Sequence, residues 1–358
     1  MAVWPAGVRG WVANPPGRFG VGGWGAAVRV AVTYNLRREV LPGAEGGARV
    51  GVQAEYDTEE TVAALCGALA SGGHQSLRVE ADAGFPARLA ALRPDFVFNV
   101  AEGAGGPGRE AQVPAVCELL CLPYTGSGVL ALALGLDKAM TKRVLSACGV
   151  PTPRFVVVPP GMELHAADLR PPLFVKPLSQ GSSMGVTPRS LVRDHAAAAA
   201  QVAEVHTAYG EPALVEVFLP GREFTIGILG NDAPQVLPIM EIDFGAVPPG
   251  YPPVYTYQFK REWDADRFYR CPAPLEAGLQ REIQRLALAA YAALGCRDVA
   301  RVDLRLDAAG QPQVIEVNPL PGMVPGFSDL PRQAAAAGMG YAELVVGILD
   351  HARARCGR

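Results

Sequence analysis

The segment Ala300–Asn318, ARVDLRLDAAGQPQVIEVN, constrains the fold of this chain most tightly. Both halves alternate apolar and polar residues, and AAGQP between them is turn chemistry, so the spacing predicts a β-hairpin. A period of two sets Val302, Leu304 and Leu306 on one face and Arg301, Asp303, Arg305 and Asp307 on the other. On the partner strand, Ile315 and Val317 are expected to point inward, while Glu316 and Asn318 share the polar face. Pairing the two polar faces makes Asp303, Glu316 and Asn318 converge. Two carboxylates and an amide oxygen are hard ligands, suited to Mg²⁺ or Mn²⁺ and poor for zinc. On this segment alone, a solvent-facing amphipathic hairpin explains the pattern equally well.

A chain of 358 residues exceeds what one hydrophobic core organises, which predicts two or three packed subdomains. With 32 basic against 35 acidic side chains, nothing favours nucleic acid or an anionic membrane surface as a partner. No apolar run is long enough to span a bilayer. Residues 1–27, with Trp4, Trp11 and Trp24 among many Gly and Pro, lack the apolar stretch of a secretory signal and read as a flexible tail. Cys117 and Cys121 stand i,i+4 on a helix predicted over Val116–Leu122, where core packing outweighs a zinc site. The scattered cysteines fit a reducing, cytoplasmic setting. Only four of the 32 basic residues are lysine: Lys138, Lys142, Lys176 and Lys260. Genome composition explains their scarcity, and those that remain mark sites where a compact ammonium suits better than a planar fork.

Strand-like Val28–Tyr34, helical Thr58–Ala70, then strands at Leu77–Val79 and Asp95–Val100 separated by a further helix imply a parallel sheet with right-handed crossovers. Active residues gather beyond the carboxyl ends of such strands, where Glu55, Asn99 and Glu102 are expected. Gly128–Cys148 reads as one helical segment, Phe174–Lys176 as a strand and His195–Val205 as a helix. Strands are predicted at Ala213–Val217, Phe224–Leu229 and Val236–Ile242. An open Pro/Tyr-rich loop follows over Val247–Cys271, then a helix over Leu279–Gly295.

Two further segments carry chemistry. FVKPLSQGSSMGV (Phe174–Val186) joins a lysine at a strand end to a Gly/Ser loop, offering phosphate a point charge and backbone N–H groups. Lys138 and Lys260 add two more lysines able to surround one polyphosphate. ALVEVFLPGREFT (Ala213–Thr225) can offer backbone groups to an adenine edge over an apolar floor, with Glu223 placed for ribose hydroxyls. Taken singly, the first is an ordinary loop and the second a core strand with a surface turn.

Together with PYTGSG (Pro123–Gly128), LDKAMTK (Leu136–Lys142), CPAPL (Cys271–Leu275) and EVNPLPGM (Glu316–Met323), these segments resemble, in order, the motifs of the D-alanine–D-alanine ligase family of the ATP-grasp superfamily. The resemblance runs from about Val28 to the C-terminus. It implies an α/β fold of ATP-grasp architecture. A parallel-sheet N-terminal domain (28–127) would precede a central α+β subdomain (128–212) and a C-terminal one (213–358), the two clamping ATP. It also implies an ATP-dependent carboxylate–amine ligase that forms a dipeptide through an acyl phosphate and releases ADP and phosphate. Carried over by position, Lys138 and Lys176 hold ATP phosphates, and Ser182 and Ser183 lie in the loop closing over them. Glu216, Leu219 and Glu223 contact adenine and ribose, and Lys260 reaches the transferred phosphate. Asp303, Glu316 and Asn318 bind two Mg²⁺, with Mn²⁺ as the alternative, and Arg301 with the Gly322 amide forms an oxyanion hole. A homodimer is also implied, with amino acids or short peptides as substrates. The GSSMG and Val247–Cys271 loops are the expected lids that keep water from the acyl phosphate.

The departures from the family pattern cluster where amino-acid substrates would sit. Arg261 stands where the family has tyrosine, and Glu55 in AEYD is the loose counterpart of its N-terminal glutamate. NVAEG (Asn99–Gly103) replaces the usual His-Gly stretch. PGMVPGFSDLP is one residue longer than usual before Ser328, the expected carboxylate contact. Arg261 is expected to bind an extra carboxylate on a longer or acidic substrate. Alternative readings are a ligase for other amino acids or peptides, in a natural-product or modified cell-wall pathway, and a nucleotide-binding scaffold without catalysis.

Overall fold

The computed structural model describes residues 26–38, 55–247, 251–256 and 265–357. Nearly all of the proposed tail, together with Lys260 and Arg261, lies outside the described residues.

Strand β1 (Arg29–Tyr34) pairs in parallel with β2 (Gln75–Glu80) and β3 (Phe96–Asn99), giving the order β2-β1-β3. Two helices serve the crossovers: α1 (Glu59–Ser71), capped by the Thr58 side chain, and α2 (Phe85–Leu92). The chain continues through α3 (Gln112–Leu119), α4 (Val129–Leu136) and α5 (Lys138–Ala147). A four-stranded antiparallel sheet follows, ordered β4-β7-β5-β6, from β4 (Phe155–Val158), β5 (Leu173–Pro177), β6 (Leu191–Val192) and β7 (Ala213–Val217), with α6 (His195–Tyr209) packed on it. Six strands form the last sheet: β8 (Glu223–Leu229), β9 (Gln235–Val236), β10 (Met240–Ile242), β11 (Tyr269–Arg270), β12 (Val299–Leu306) and β13 (Pro312–Asn318). The short helix α7 (Ala265–Phe268) precedes β11, and α8 (Ala277–Leu294) covers the sheet. The chain closes with α9 (Asp329–Ala336) and α10 (Tyr341–Arg355).

Several sequence expectations shift. The single helix over Gly128–Cys148 breaks at Asp137, which turns extended and caps α5 through a bond from the Met140 amide at 2.9 Å. Lys138 thereby becomes the first residue of a helix rather than the middle of one. Cys117 is buried on α3, but Cys121 lies beyond its end with φ of 56°, so the two do not share a helical face. The strand over Val236–Ile242 is interrupted because Pro238 has no amide to donate to the ladder.

The linear division of the chain is also redrawn. β7 lies between β4 and β5, so the boundary at 212/213 moves past Val217. Leu145 of α5 packs in the core beneath the six-stranded sheet. α10 returns to the N-terminal domain, where Leu344, Val345 and Leu349 share a core with Val30, Val62 and Leu65. Buried apolar surface, more than chain order, decides which elements form a unit.

Candidate active site

The predicted hairpin forms as β12–β13, with Asp303 opposite Glu316 and Arg301 opposite Asn318. The register shifts after Asp303, where Leu304 pairs with Val314. Ile315 is thus the extra residue of a bulge. Val314 and Val317 fill the core, and Ile315 lines the cleft instead of pointing inward. Asp303 and Glu316, paired directly before the bulge, share one face.

That face opens on a cleft of about 900 Å³, partly open to solvent, between the four- and six-stranded sheets. Lys176 on β5 and Glu216 on β7 form its far wall. Glu216 is buried and accepts an ion pair on each oxygen, from Lys176 Nζ at 2.8 Å and from Lys142 Nζ at 2.7 Å. Lys142, fully buried, also donates to Thr152 Oγ1 at 3.0 Å. Burial draws the Lys142 pKa down. It acts the same way on Lys176, but the Glu216 and Glu316 carboxylates outweigh it and hold that lysine above its ordinary value. Burial opposes ionisation of Glu216 too, and the two lysines overcome it. Both carboxylate oxygens of Glu216 are thus committed to lysines, which leaves the backbone of its strand as the part able to meet an adenine edge. Lys138, at the head of α5, directs Nζ to the Gln180 carbonyl at 2.5 Å.

Where β7 runs toward β8, Leu219 is buried against the cleft, and Glu223 accepts from Arg305 Nη1 at 2.8 Å. The Arg305 guanidinium lies 4.6 Å from the Phe218 ring centroid and 5.1 Å from that of Phe244. Its Nη2 is buried without a hydrogen-bond partner among the described residues. The alternating pattern assigned Arg305 only to a polar face, and no local signal marked it as a pocket wall.

Asp303 accepts from Thr225 Oγ1, from Arg301 Nε at 3.0 Å and Nη2 at 2.9 Å, and from Asn318 Nδ2 at 3.0 Å. A half-turn of the Asn318 amide presents oxygen instead of nitrogen on this face. The donor set is then all oxygen, which fits Mg²⁺ or Mn²⁺. Among the described residues no group of three or more His, Cys, Asp or Glu is arranged to hold a metal. Arg301 also lies 3.8 Å from Asp329. These carboxylates overcome burial and raise its pKa, keeping it cationic. Gly322 packs against Ser328 so closely that a Cβ would stand 2.9 Å from its Oγ, which already accepts from the Val324 amide at 3.0 Å. Gly322 and Ser328 thus form one corner.

The opposite corner belongs to the N-terminal domain. Glu55 is ion-paired to Arg109 at 2.8 Å, both almost wholly buried. Glu102 and Glu110 stand near them. Burial, with Glu55 and Glu110 adding, raises Glu102 well above the carboxylate range. Burial also pushes Glu110 up to about 7 against the pull of Arg109. Asn99 is a structural residue, its Oδ1 accepting from Thr33 Oγ1 and the Ala101 amide. Above this corner runs the loop Ser179–Val186. Ser182 and Ser183 adopt left-handed φ values of 47° and 60°, and Ser183 lines the cleft. The sequence reading missed Arg109 and Glu110. Their signal was a charged pair, RE, closing an otherwise Gly-rich stretch.

A family model described as D-ala D-ala ligase C-terminus matches residues 144–350. A Bordetella avium protein named D-alanine–D-alanine ligase is 40% identical over 248 residues, 68% of this chain and 74% of its own. A Beijerinckia indica protein of the same name is 38% identical over 311 residues, 84% and 95% of the two chains. So is a Sinorhizobium fredii protein, y4sG, described as uncharacterised, over 80% of this chain and 86% of its own. Among solved structures, the Bacillus anthracis D-alanine–D-alanine ligase complexed with ATP superposes with a TM-score of 0.70 at 25% identity, covering 92% of this chain and 99% of that one.

Proposed function

Because the chain belongs to the D-alanine–D-alanine ligase family, we propose that it is an ATP-dependent ligase that activates one amino-acid carboxylate as an acyl phosphate and joins it to the amine of a second. The observation that carries this reading is the cleft holding Lys138 and Lys176 against Asp303 and Glu316. A carboxylate is a poor electrophile, and two anions must meet before it can be phosphorylated.

Lys176 and Lys138 would hold the phosphates. Glu216 acts through Lys142 and Lys176, fixing where the ammonium of Lys176 sits. Leu219 and the backbone of Val217–Leu219 would take the base, and Glu223, steadied by Arg305, the ribose. Asp303, Glu316 and Asn318 would hold Mg²⁺, which when bound neutralises phosphate charge. Arg301 and the Gly322 amide would face the oxyanion formed when the amine attacks. Ser182 and Ser183 lie on the loop that keeps water from the site, and Ser328 would contact a substrate carboxylate. Lys260 and Arg261, carried over from the motifs alone, are assigned to the transferred phosphate and to an additional substrate carboxylate. Glu55 is the candidate for the ammonium of the first amino acid, its carboxylate then shared between that ammonium and the Arg109 guanidinium.

A second reading, a ligase whose partners are not both D-alanine, is favoured by one observation: three glutamates, Glu55, Glu102 and Glu110, surround Arg109 in the substrate corner. Phosphate release against a panel of single D- and L-amino acids and dipeptides separates the readings. Release with D-alanine alone supports D-alanyl-D-alanine formation, and release only with other acceptors supports the second. Tight ATP binding with no release from any pair overturns both.

A further inference from the structure

We infer that Arg109 is a positioning residue that latches the root of the Ser179–Val186 loop to the N-terminal domain, holding the loop shut over the activated substrate. This rests on the ligase reading for its consequence, but its geometry stands without it. Arg109 occupies the short turn Arg109–Ala111 and is 6% exposed. One arm, Nη2, donates to Glu55 Oε2 at 2.8 Å within the same domain. The other, Nη1, donates at 3.1 Å to the carbonyl of Ser179, seventy residues further on at the loop's root. The carboxylate and the carbonyl are thus bridged by one rigid fork.

The neighbouring residues of the loop are held at the same point. The Ser179 amide donates to Glu211 Oε2 at 3.2 Å, and the Gln180 carbonyl takes the Lys138 ammonium. At Gly181 the chain passes so near Glu55 that a Cβ would lie 2.0 Å from its Oε1. Any larger residue there would have to displace the Glu55 carboxylate. The loop root therefore meets three parts of the molecule, and Arg109 and Glu55 supply the contact with the N-terminal domain. Lifting the loop separates the Nη1 donor from its carbonyl and leaves a buried guanidinium one acceptor short. Lysine keeps the charge but has no planar fork to span both acceptors in fixed geometry.

A latch of this kind predicts coupling rather than binding as the property at stake, because an acyl phosphate reached by water yields phosphate and no amide. The test compares full-length wild type, Arg109→Gln and Arg109→Lys. On whichever substrate pair turns over in wild type, amide formed per phosphate released is expected to fall about tenfold in Arg109→Gln and by less in Arg109→Lys. With ADP and Mg²⁺ bound, amide hydrogen exchange over residues 179–186 should quicken about tenfold in both, while β5 and β7 exchange as before. If Arg109→Gln does not fold, Arg109→Lys carries the same test. Unchanged exchange at 179–186 in a folded variant overturns the latch, as does an unchanged coupling ratio. Should wild type form no amide with any pair, the ligase reading fails, and the exchange arm still decides the latch.

Discussion

The two ends of the active cleft handle charge in opposite ways. At the end proposed for the nucleotide, three buried or nearly buried carboxylates each meet a counter-charge within hydrogen-bond distance: Glu216 between Lys142 and Lys176, Glu223 against Arg305, Asp303 against Arg301. At the substrate end three glutamates share one arginine, and burial drives two of them, Glu102 and Glu110, toward the protonated form. On the function proposed above, the first end would take a polyphosphate and a cation. The second would tell one substrate from another, its charges completed by what binds.

The sharpest way to break this contrast is Glu316→Gln. It keeps the shape of the nucleotide end but halves the carboxylate pair, and turnover should fall about a thousandfold or more with melting nearly unchanged. Retained turnover removes the metal assignment. Next, Lys142→Met leaves Glu216 buried with one lysine, and urea unfolding should show a loss of about 3–5 kcal/mol. Lys176→Met should instead depress turnover far more than stability. If the two variants behave alike, the division between a structural and a phosphate-facing lysine is wrong. A smaller effect is expected from Arg305→Met, which frees Glu223 from its partner: KM for ATP should rise about tenfold with kcat little altered. An unchanged KM would detach the pair from the nucleoside.

The smallest effect tests the substrate end. Glu110 is raised by burial, with Glu55 and Glu316 adding and Arg109 and Lys138 opposing, from 4.5 to about 7. A carboxyl whose folded pKa is raised contributes stability that is complete below its ordinary value and is lost as pH rises through 7. Melting of the ligand-free protein should decline between pH 5 and 8, and Glu110→Gln should flatten that slope. An identical slope in the variant would place the titration elsewhere.

No helix among the described residues is long and apolar enough to cross a membrane. The meeting of Asp303 and Glu316 was legible because both strands are local and alternate, so sequence order maps directly onto a face. Even there, one residue escaped: Ile315 was expected in the core, and the bulge that exposes it to the cleft leaves no mark in the alternation. The two lysine partners of Glu216 were not legible, since a glutamate on an apolar strand does not announce which distant lysines will claim it.

By itself the sequence determined the parallel N-terminal strands, the hairpin that carries Asp303 and Glu316, and the strand that ends in Lys176. All of these follow from periodicity, turn chemistry or the motifs of the family. The tertiary structure alone decided that Lys142 is buried behind Glu216, that Arg305 walls the cleft beside Glu223, and that Arg109 joins Glu55 to Ser179. The last two contacts span 54 and 70 residues. Pairings at such separations depend on how packed sheets and helices bring the chain back on itself, and no local pattern of residues encodes them.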